Sequence, residues 1–171
     1  MYLHHHAFKV FNRVFPARVA HAHCDIPCGI YDPHAAQIAA LTVIRMNQLI
    51  QNLAKPGSKS TPAEVEAYSA ALSRYVSVKE QHAELCKQEL RILWGDYFRP
   101  EHIQQHPDLH DRFFNAMKLA SKSRQQNDME AAQQLLGAVQ GIAEIFWTTK
   151  GAKTQRQPSR QTVGGELVYP A

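Results

Sequence analysis

The chain has few cysteines and no long apolar run, and both absences limit what it can be. Only three of its 171 residues are cysteine, which is too few for the disulfide framework of a small secreted protein. A reducing, cytoplasmic location is therefore expected. No run of about eighteen apolar residues occurs, so the sequence predicts no membrane-spanning helix and no membrane partner.

Motifs of several enzyme classes are also missing. The sequence has no glycine-rich phosphate loop, no nucleophile elbow and no paired catalytic carboxylates. No segment reads as a strand either, so an all-α fold is expected. With 44% hydrophobic residues, the chain is long enough for one domain with a proper core.

The net charge of +4 is carried by the two ends of the chain. Residues 1–22 hold three basic residues and no acid, and residues 151–171 hold three basic residues and one glutamate. Subtracting these charges, +3 and +2, from +4 leaves −1 for residues 23–150. A nearly neutral body has no extended basic face, so no nucleic-acid partner is expected.

One short loop, residues 23–31, concentrates metal-binding groups in the sequence HCDIPCGIY. Pro27 separates Cys24 from Cys28, so the chain cannot continue a helix there and can curl until both sulfurs face one point. Thiolates and the His23 imidazole together select a borderline or soft divalent metal, and geometry then decides among zinc, copper, nickel and iron. The loop alone predicts a metal site but not the metal.

Two blocks of the sequence resemble the nickel-containing superoxide dismutase family. Residues 23–33, HCDIPCGIYDP, are similar to the stretch that begins with that family's nickel hook, here residues 23–31. Residues 93–102, LWGDYFRPEH, look like its second signature, and Phe146-Trp147 fits its C-terminal pattern. The resemblance spans residues 23 to 150. It implies an antioxidant enzyme that converts superoxide to oxygen and hydrogen peroxide by cycling nickel between Ni(II) and Ni(III).

The resemblance also implies a ligand set and a maturation step. A protease would remove residues 1–22 as a propeptide, so that His23 becomes the first residue and its new amine binds the metal. One nickel ion per subunit would be bound by that amine, by the backbone amide of Cys24 and by the thiolates of Cys24 and Cys28. The His23 imidazole would be the axial ligand of the oxidised state. Anionic sulfur and amide donors stabilise Ni(III), and a tetragonal N and S environment suits Ni(II).

Three further residues are candidate catalytic groups around the hook. Tyr31 and Tyr97 resemble the family's tyrosines at the mouth of the site, where a phenol can hold water or peroxide and limit access to anions larger than superoxide. Without the resemblance, either tyrosine reads as a packing residue. Asp25 is suited to accept hydrogen bonds from amides within the hook, and a plain turn-stabilising role is equally open.

The sequence departs from the family near the axial ligand. Some members carry a glutamate and an arginine that together orient the histidine imidazole, and alignment places Ala39 and His82 at those positions. The group that orients the His23 ring must therefore differ, through His82 itself or through a neighbouring subunit.

Hydrophobic periodicity after the hook predicts four helices with short connections. The first begins at Asp32-Pro33, and the second is opened by a capping box at residues 61–64 and runs to about Tyr97. The third carries residues 109–119, and Asn127-Asp128 caps the fourth. The economical arrangement is an up-down-up-down four-helix bundle.

Two other parts of this arrangement follow from composition and from the family. Cys86 falls inside the second helix and is predicted to be a buried hydrophobe. Residues 151–171, rich in Gln, Thr, Gly, Arg and Ser, read as a flexible C-terminal tail that is disordered or weakly docked. The resemblance adds a homo-oligomer, a hexamer of such bundles.

Other functions stay open on the residues alone. The same thiolates would serve a non-enzymatic nickel or zinc carrier. A thiol redox protein using Cys24 and Cys28 is disfavoured by their three-residue spacing and by the absence of strands. A structural helical adaptor leaves the hook unexplained.

Overall fold

The computed structural model describes residues 29–171. The predictions on His23, Cys24, Asp25 and Cys28, and on the propeptide, lie outside the described residues. Within residues 29–171 the helices are α1 His34–Gln51, α2 Pro62–Ile92, α3 Pro100–Gln105, α4 Leu109–Gln125 and α5 Met129–Thr149. A π-helical turn, Leu93–Tyr97, continues α2, and two strands follow α5, β1 Thr154–Pro158 and β2 Glu166–Pro170.

The predicted helix starts are confirmed where a local cap defines them. The Thr61 N–H donates to Glu64 Oε2 at 2.7 Å, and the Glu64 N–H donates to Thr61 Oγ1 at 3.3 Å, which is a complete capping box before α2. Asp128 Oδ1 accepts from the Ala131 N–H at 3.0 Å before α5. Such caps need only residues three apart, so sequence is sufficient to locate them.

The four long helices form a ring in which α1 contacts α2, α2 contacts α4, α4 contacts α5 and α5 returns to α1. One end of the bundle collects the start of α1, the end of α2, the start of α4 and the end of α5. There the Tyr31 and Tyr97 rings lie 5.6 Å apart, Trp94 lies 5.1 Å from Phe113, and Tyr97 Oη lies 2.7 Å from Thr149 Oγ1. The predicted up-down-up-down bundle is therefore confirmed, and this end is called the tyrosine end.

The core lies along the bundle axis and includes the predicted cysteine. Phe113, Val139 and Phe146 are at most 1% exposed and pack with Leu90 in one cluster. Cys86 is fully buried in the same cluster, and burial raises the pKa of its thiol to about 12. The prediction that Cys86 acts as a buried hydrophobe is confirmed.

The prediction of a flexible tail over residues 151–171 is wrong, and so is the prediction that no strand forms. β1 and β2 pair antiparallel, with Gln157 opposite Leu167. Leu167 and Val168 are 1% exposed, and Leu167 joins the core cluster. The composition misled because exposed polar residues make up most of β1, while the burial comes from one short apolar segment of β2.

Two helix boundaries also differ from the sequence prediction. The connection before the third long helix contains a short helix, α3, which begins at Pro100, a residue whose fixed φ suits a first helical position. At α1 the helix begins at His34, one residue after the predicted Pro33, while Asp32 Oδ1 accepts from the His34 N–H at 2.6 Å, as a capping aspartate does. Among the helices of residues 29–171, none is both long and apolar enough to cross a membrane.

Candidate functional site

A cavity of about 390 Å³ opens at the tyrosine end, where the described chain begins. Its lining comes from four separate segments: the chain before α1, the π-helical turn, the start of α3 and the end of α5. The lining residues are Gly29, Tyr31, Asp96, Tyr97, Arg99, Glu101, His102 and Lys150. Gly29 directly follows Cys28, so the last predicted metal ligand is covalently attached to the wall of this cavity.

The π-helical turn directs Tyr97 into the cavity. Its wide turn is closed by the Phe98 N–H, which donates to Leu93 O at 3.0 Å, and such turns are frequent at functional sites. Phe98 packs against Phe113 of α4 with ring centroids 5.4 Å apart. Tyr97 instead packs against Phe146 of α5 at 4.5 Å and against Tyr31 at 5.6 Å. Phe98 therefore packs in the core, while the preceding residue, Tyr97, lines the cavity.

A hydrogen-bond chain determines which group the Tyr97 phenol offers to the cavity. The Thr149 hydroxyl donates its proton to Phe146 O at 2.7 Å, so it can only accept from Tyr97 Oη, which lies 2.7 Å away. The Tyr97 proton is therefore used inside the bundle. Its oxygen lone pairs remain, and Tyr97 acts toward the cavity as an acceptor.

The cavity lining contains charges of both signs. Lys150 Nζ lies 5.4 Å from the Tyr97 ring centroid and 5.1 Å from that of Phe146, which are cation–π distances. Arg99 adds a second positive charge, and Asp96 and Glu101 balance the two. Positive charge is therefore present beside Tyr97 without a net charge on the lining as a whole.

Sequence reasoning missed His102 as a lining residue. Its ring stacks on Tyr97 at a centroid distance of 5.6 Å and an interplanar angle of 19°. Its Nδ1 accepts from the Arg99 N–H at 3.2 Å, so it caps α3. In the sequence, the signal for the contact with Tyr97 was that both residues lie in the block 93–102.

The donor set that fits nickel lies before Gly29. Within residues 29–171, no group of three His, Cys, Asp or Glu side chains is placed to hold a metal ion. Cys86, the one cysteine in that range, is buried and its raised pKa keeps it protonated. The remaining thiols, Cys24 and Cys28, together with His23, are the predicted ligands, and these residue types are the soft and borderline donors that a nickel site would need.

His82 lies away from the tyrosine end. Its Nδ1 is 2.9 Å from Val78 O one turn earlier in α2. At 1.5 Å per residue, His82 lies roughly 20 Å along the helix axis from Tyr97. Ala39 is buried in α1. Neither the position of His82 nor that of Ala39 identifies the group that orients the His23 ring, so the role of His82 stays a prediction.

Comparisons with known proteins agree on one family. The family model described as nickel-containing superoxide dismutase matches residues 18–150. The superoxide dismutase [Ni] of Streptomyces coelicolor is 33% identical over 144 residues, which is 84% of this chain and 100% of that protein. The corresponding protein of Streptomyces seoulensis is 35% identical over the same shares of the two chains. A native nickel superoxide dismutase structure aligns with a TM-score of 0.64 and 34% identity, covering 75% of this chain and 99% of that one.

Proposed function

The chain belongs to the nickel-containing superoxide dismutase family, and from that premise we propose that His23, Cys24 and Cys28 bind its nickel. The activity is the conversion of superoxide to oxygen and hydrogen peroxide. The observation that supports the proposed ligands most directly is the position of Gly29, which follows Cys28 and lines the cavity at the tyrosine end.

The proposed donors suit the chemistry that the reaction requires. When bound, nickel supplies a one-electron couple between Ni(II) and Ni(III). The thiolates of Cys24 and Cys28, the amide of Cys24, and the amine and imidazole of His23 would hold the metal, and the negative charge of the thiolates and the amide would stabilise the higher oxidation state. Asp25 would accept hydrogen bonds from amides of the hook and so hold its turn.

Tyr31 and Tyr97 would control what reaches the hook. Their rings are 5.6 Å apart and tilted by 55°, so they narrow the same side of the cavity. Because the Tyr97 proton is donated to Thr149, the phenol would accept a hydrogen bond from water or from hydrogen peroxide. Together the two side chains would admit superoxide and hinder larger anions.

Removal of residues 1–22 would create the amine ligand, because an unprocessed His23 nitrogen is an amide. The test is nickel analysis and superoxide dismutase activity on two chains, one beginning at His23 and one retaining residues 1–22, each reconstituted with nickel. We expect about one nickel per chain, and activity, only in the processed chain. Full activity in the unprocessed chain would refute the amine ligand, and nickel-independent activity would refute the proposed site.

The processed chain offers a matched set of cysteine variants. Cys24→Ala and Cys28→Ala are expected to abolish stoichiometric nickel binding, since each removes a thiolate. Cys86→Ala is the control, because Cys86 is buried and protonated and should leave the nickel content unchanged. Nickel retained at full stoichiometry by Cys24→Ala would contradict the proposed ligand set.

We propose that the enzyme assembles as a homohexamer. Large apolar side chains are exposed near the tyrosine end: Ile30 is 79% exposed and Phe114 of α4 is 50% exposed, as expected of surfaces that another subunit covers. Sedimentation of the processed protein tests the assembly. Ile30→Asp is expected to shift it toward smaller species, and a wild-type monomer would contradict the proposal.

A cytoplasmic location is also proposed, because free thiols at the hook need a reducing compartment until nickel binds. Fractionation of cells that produce the full chain, followed by detection of the protein in each fraction, tests the location. Recovery in the extracellular or membrane fraction would contradict it.

A further inference from the structure

The β1–β2 unit, residues 154–170, is here called the C-terminal hairpin, and it lies outside the region that defines the family. The family match ends at residue 150, whereas the hairpin begins four residues later. Its burial nevertheless makes it part of the folded body, since Leu167 and Val168 are 1% exposed. The hairpin is therefore a packed element that begins four residues after Lys150, which lines the cavity.

The hairpin is bound to the first turn of α1 by a buried amide. The Val168 N–H donates to Gln37 Oε1 at 2.7 Å, and Gln37 Nε2 donates to Val168 O at 3.1 Å. Gln37 is fully buried. Its side chain thus pairs with β2 as a neighbouring strand would, and both of its polar atoms are used.

A second contact lies even closer to the hook. The rings of His34 and Tyr169 have centroids 5.6 Å apart and an interplanar angle of 40°. His34 is the first residue of α1 and follows Tyr31, a residue of the cavity lining, by three positions. β2 therefore contacts α1 at the point where the chain leaves the hook.

The open end of the hairpin lies beside the other wall of the cavity. The Ala171 N–H donates to Lys153 O at 2.8 Å, which closes the strands at their ends. The chain reaches Lys153 directly from Lys150, which lines the cavity. The Gly151 N–H donates to Thr148 O at 2.9 Å, so a backbone hydrogen bond holds the start of the short connection between α5 and the hairpin.

We propose that the C-terminal hairpin positions the nickel hook by fixing the start of α1 relative to the end of α5. Gln37 and Tyr169 are the positioning residues. They act through the segment 29–34, whose placement sets the distance between Tyr31 and Lys150 on two sides of the cavity that Gly29 also lines. The proposal rests on the proposed function in that the hook is the nickel site. Residues that orient a metal loop without binding the metal change its affinity by about ten- to a hundredfold.

The test compares two buried glutamines that both bind the hairpin backbone. Gln37→Ala removes the contact with α1, whereas Gln140→Ala removes a contact with α5, where Gln140 Nε2 donates to Glu166 O at 2.7 Å. Two readouts are measured on processed protein: hydrogen exchange over residues 29–40 without metal, and the rate of nickel loss to a chelator. Both variants should lower the melting temperature. Only Gln37→Ala should speed exchange in residues 29–40 and speed nickel loss, by about tenfold.

A second pair of variants keeps the test independent of one substitution. Tyr169→Ala should behave as Gln37→Ala does, and Tyr169→Phe should restore wild-type exchange and nickel loss because it keeps the ring contact with His34. Equal effects of Gln37→Ala and Gln140→Ala on nickel loss would overturn the proposal, since the hairpin would then act through stability alone. Unchanged exchange over residues 29–40 in both Gln37→Ala and Tyr169→Ala would overturn it too. If the wild-type chain binds no nickel, the proposed function fails, and the exchange measurement still decides the positioning role.

Discussion

Tyr97 is held by contacts to its ring and by a hydrogen bond of its hydroxyl. Phe146 and Tyr31 pack against its ring, and Thr149 Oγ1 accepts a hydrogen bond from its hydroxyl, because the Thr149 hydroxyl itself donates to Phe146 O. The phenol is therefore oriented by the bundle and presents an acceptor to the cavity. Sequence could single out Tyr97 through the family block, but only the fold reveals the partner at Thr149, which lies 52 residues away.

Tyr97→Phe tests two effects of the Tyr97 hydroxyl separately, its contribution to stability and its effect on which anions reach the hook. The variant loses one part-buried hydrogen bond, so unfolding should become easier by about 1 kcal/mol, measured by denaturant titration. It also removes one of the two tyrosine hydroxyls at the cavity, so inhibition by a larger anion such as azide should strengthen. Thr149→Val is the comparison: it removes the same hydrogen bond but keeps the Tyr97 hydroxyl at the cavity, so it should lower stability by a similar amount and change azide inhibition less than Tyr97→Phe does. Equal azide inhibition in wild type and Tyr97→Phe would contradict the proposed gating.

Cys86 should make the protein less stable in alkali. Burial raises the pKa of its thiol in the folded state to about 12, above the ordinary 9.0. Between these values the unfolded chain loses the proton and the folded chain keeps it, so stability is present below pH 9 and falls as the pH rises above it. The loss should be roughly 1 kcal/mol at pH 10.

Denaturant unfolding of the chain from pH 8 to pH 10.5 measures this loss. Cys86→Ala should be less stable at pH 8 because of the cavity it leaves, but its stability should decline less steeply above pH 9. Parallel pH profiles of the two proteins would contradict the assignment to Cys86. Cys24 and Cys28 are present in both proteins and cancel in the comparison.

At the scale of elements, local hydrogen bonds mark the starts of two of the long helices. The capping box at residues 61–64 and the Asp128 cap could be predicted because their partners lie three residues apart. The π-helical turn and α3 could not, because the packing of Trp94 and Phe98 against Phe113 favours them over continued α-helix. A proline at position 100 fits both the end of one helix and the start of the next, so the local pattern did not decide whether α3 forms.

The end of α4 depends on a buried lysine. Lys79 of α2 is 2% exposed, and its Nζ donates to Gln126 O at 2.7 Å and to Asn127 Oδ1 at 2.6 Å. Burial lowers the pKa of its ammonium. The charge nevertheless lies at a helix C-terminus, where carbonyl dipoles favour a cation.

Lys79→Met should therefore destabilise the bundle by about 1 to 3 kcal/mol, since it removes two charge-assisted hydrogen bonds. Lys87→Met on the same helix is the control. Within residues 29–171, Lys87 Nζ makes a single hydrogen bond, to Ser121 Oγ at 3.1 Å, and its loss should cost less than about 0.5 kcal/mol. Thermal unfolding of both variants, followed by circular dichroism, gives the comparison, and equal destabilisation would remove the capping role of Lys79.

At the scale of the whole molecule, the C-terminal hairpin changes the boundary of the domain. Its turn packs deep on the bundle: at Gly165, with φ of +76°, a Cβ atom would lie 3.1 Å from Leu41 Cδ2 and 3.7 Å from Leu136 Cδ2. Glycine suits both the backbone conformation and the close approach. Among the described residues, the folded body therefore continues to the last strand.

Leu167→Ala tests this boundary. Truncation of a fully buried core leucine should lower the free energy of unfolding by about 2 to 5 kcal/mol, whereas truncation of a leucine in a flexible tail should leave it almost unchanged. Gln157→Ala, at the exposed position opposite Leu167 in the hairpin, should stay within about 0.5 kcal/mol of wild type. Denaturant titration distinguishes the cases, and a neutral Leu167→Ala would return residues 151–171 to the status of a tail.

The sequence by itself determined the features whose parts lie close together in the chain. The candidate metal ligands fall within residues 23–28, the helix caps need a spacing of three, and the helical periods repeat every few residues, so each could be predicted without a fold. The tertiary structure decided the features whose parts are distant. Tyr31, Tyr97 and Lys150 meet only because alternate helices reverse direction and bring their ends together. The hairpin docks because Gln37 binds its backbone and the apolar faces of α1 and α5 bury its few apolar residues. This could not be predicted from the composition of residues 151–171, because the surface that buries them belongs to other parts of the chain.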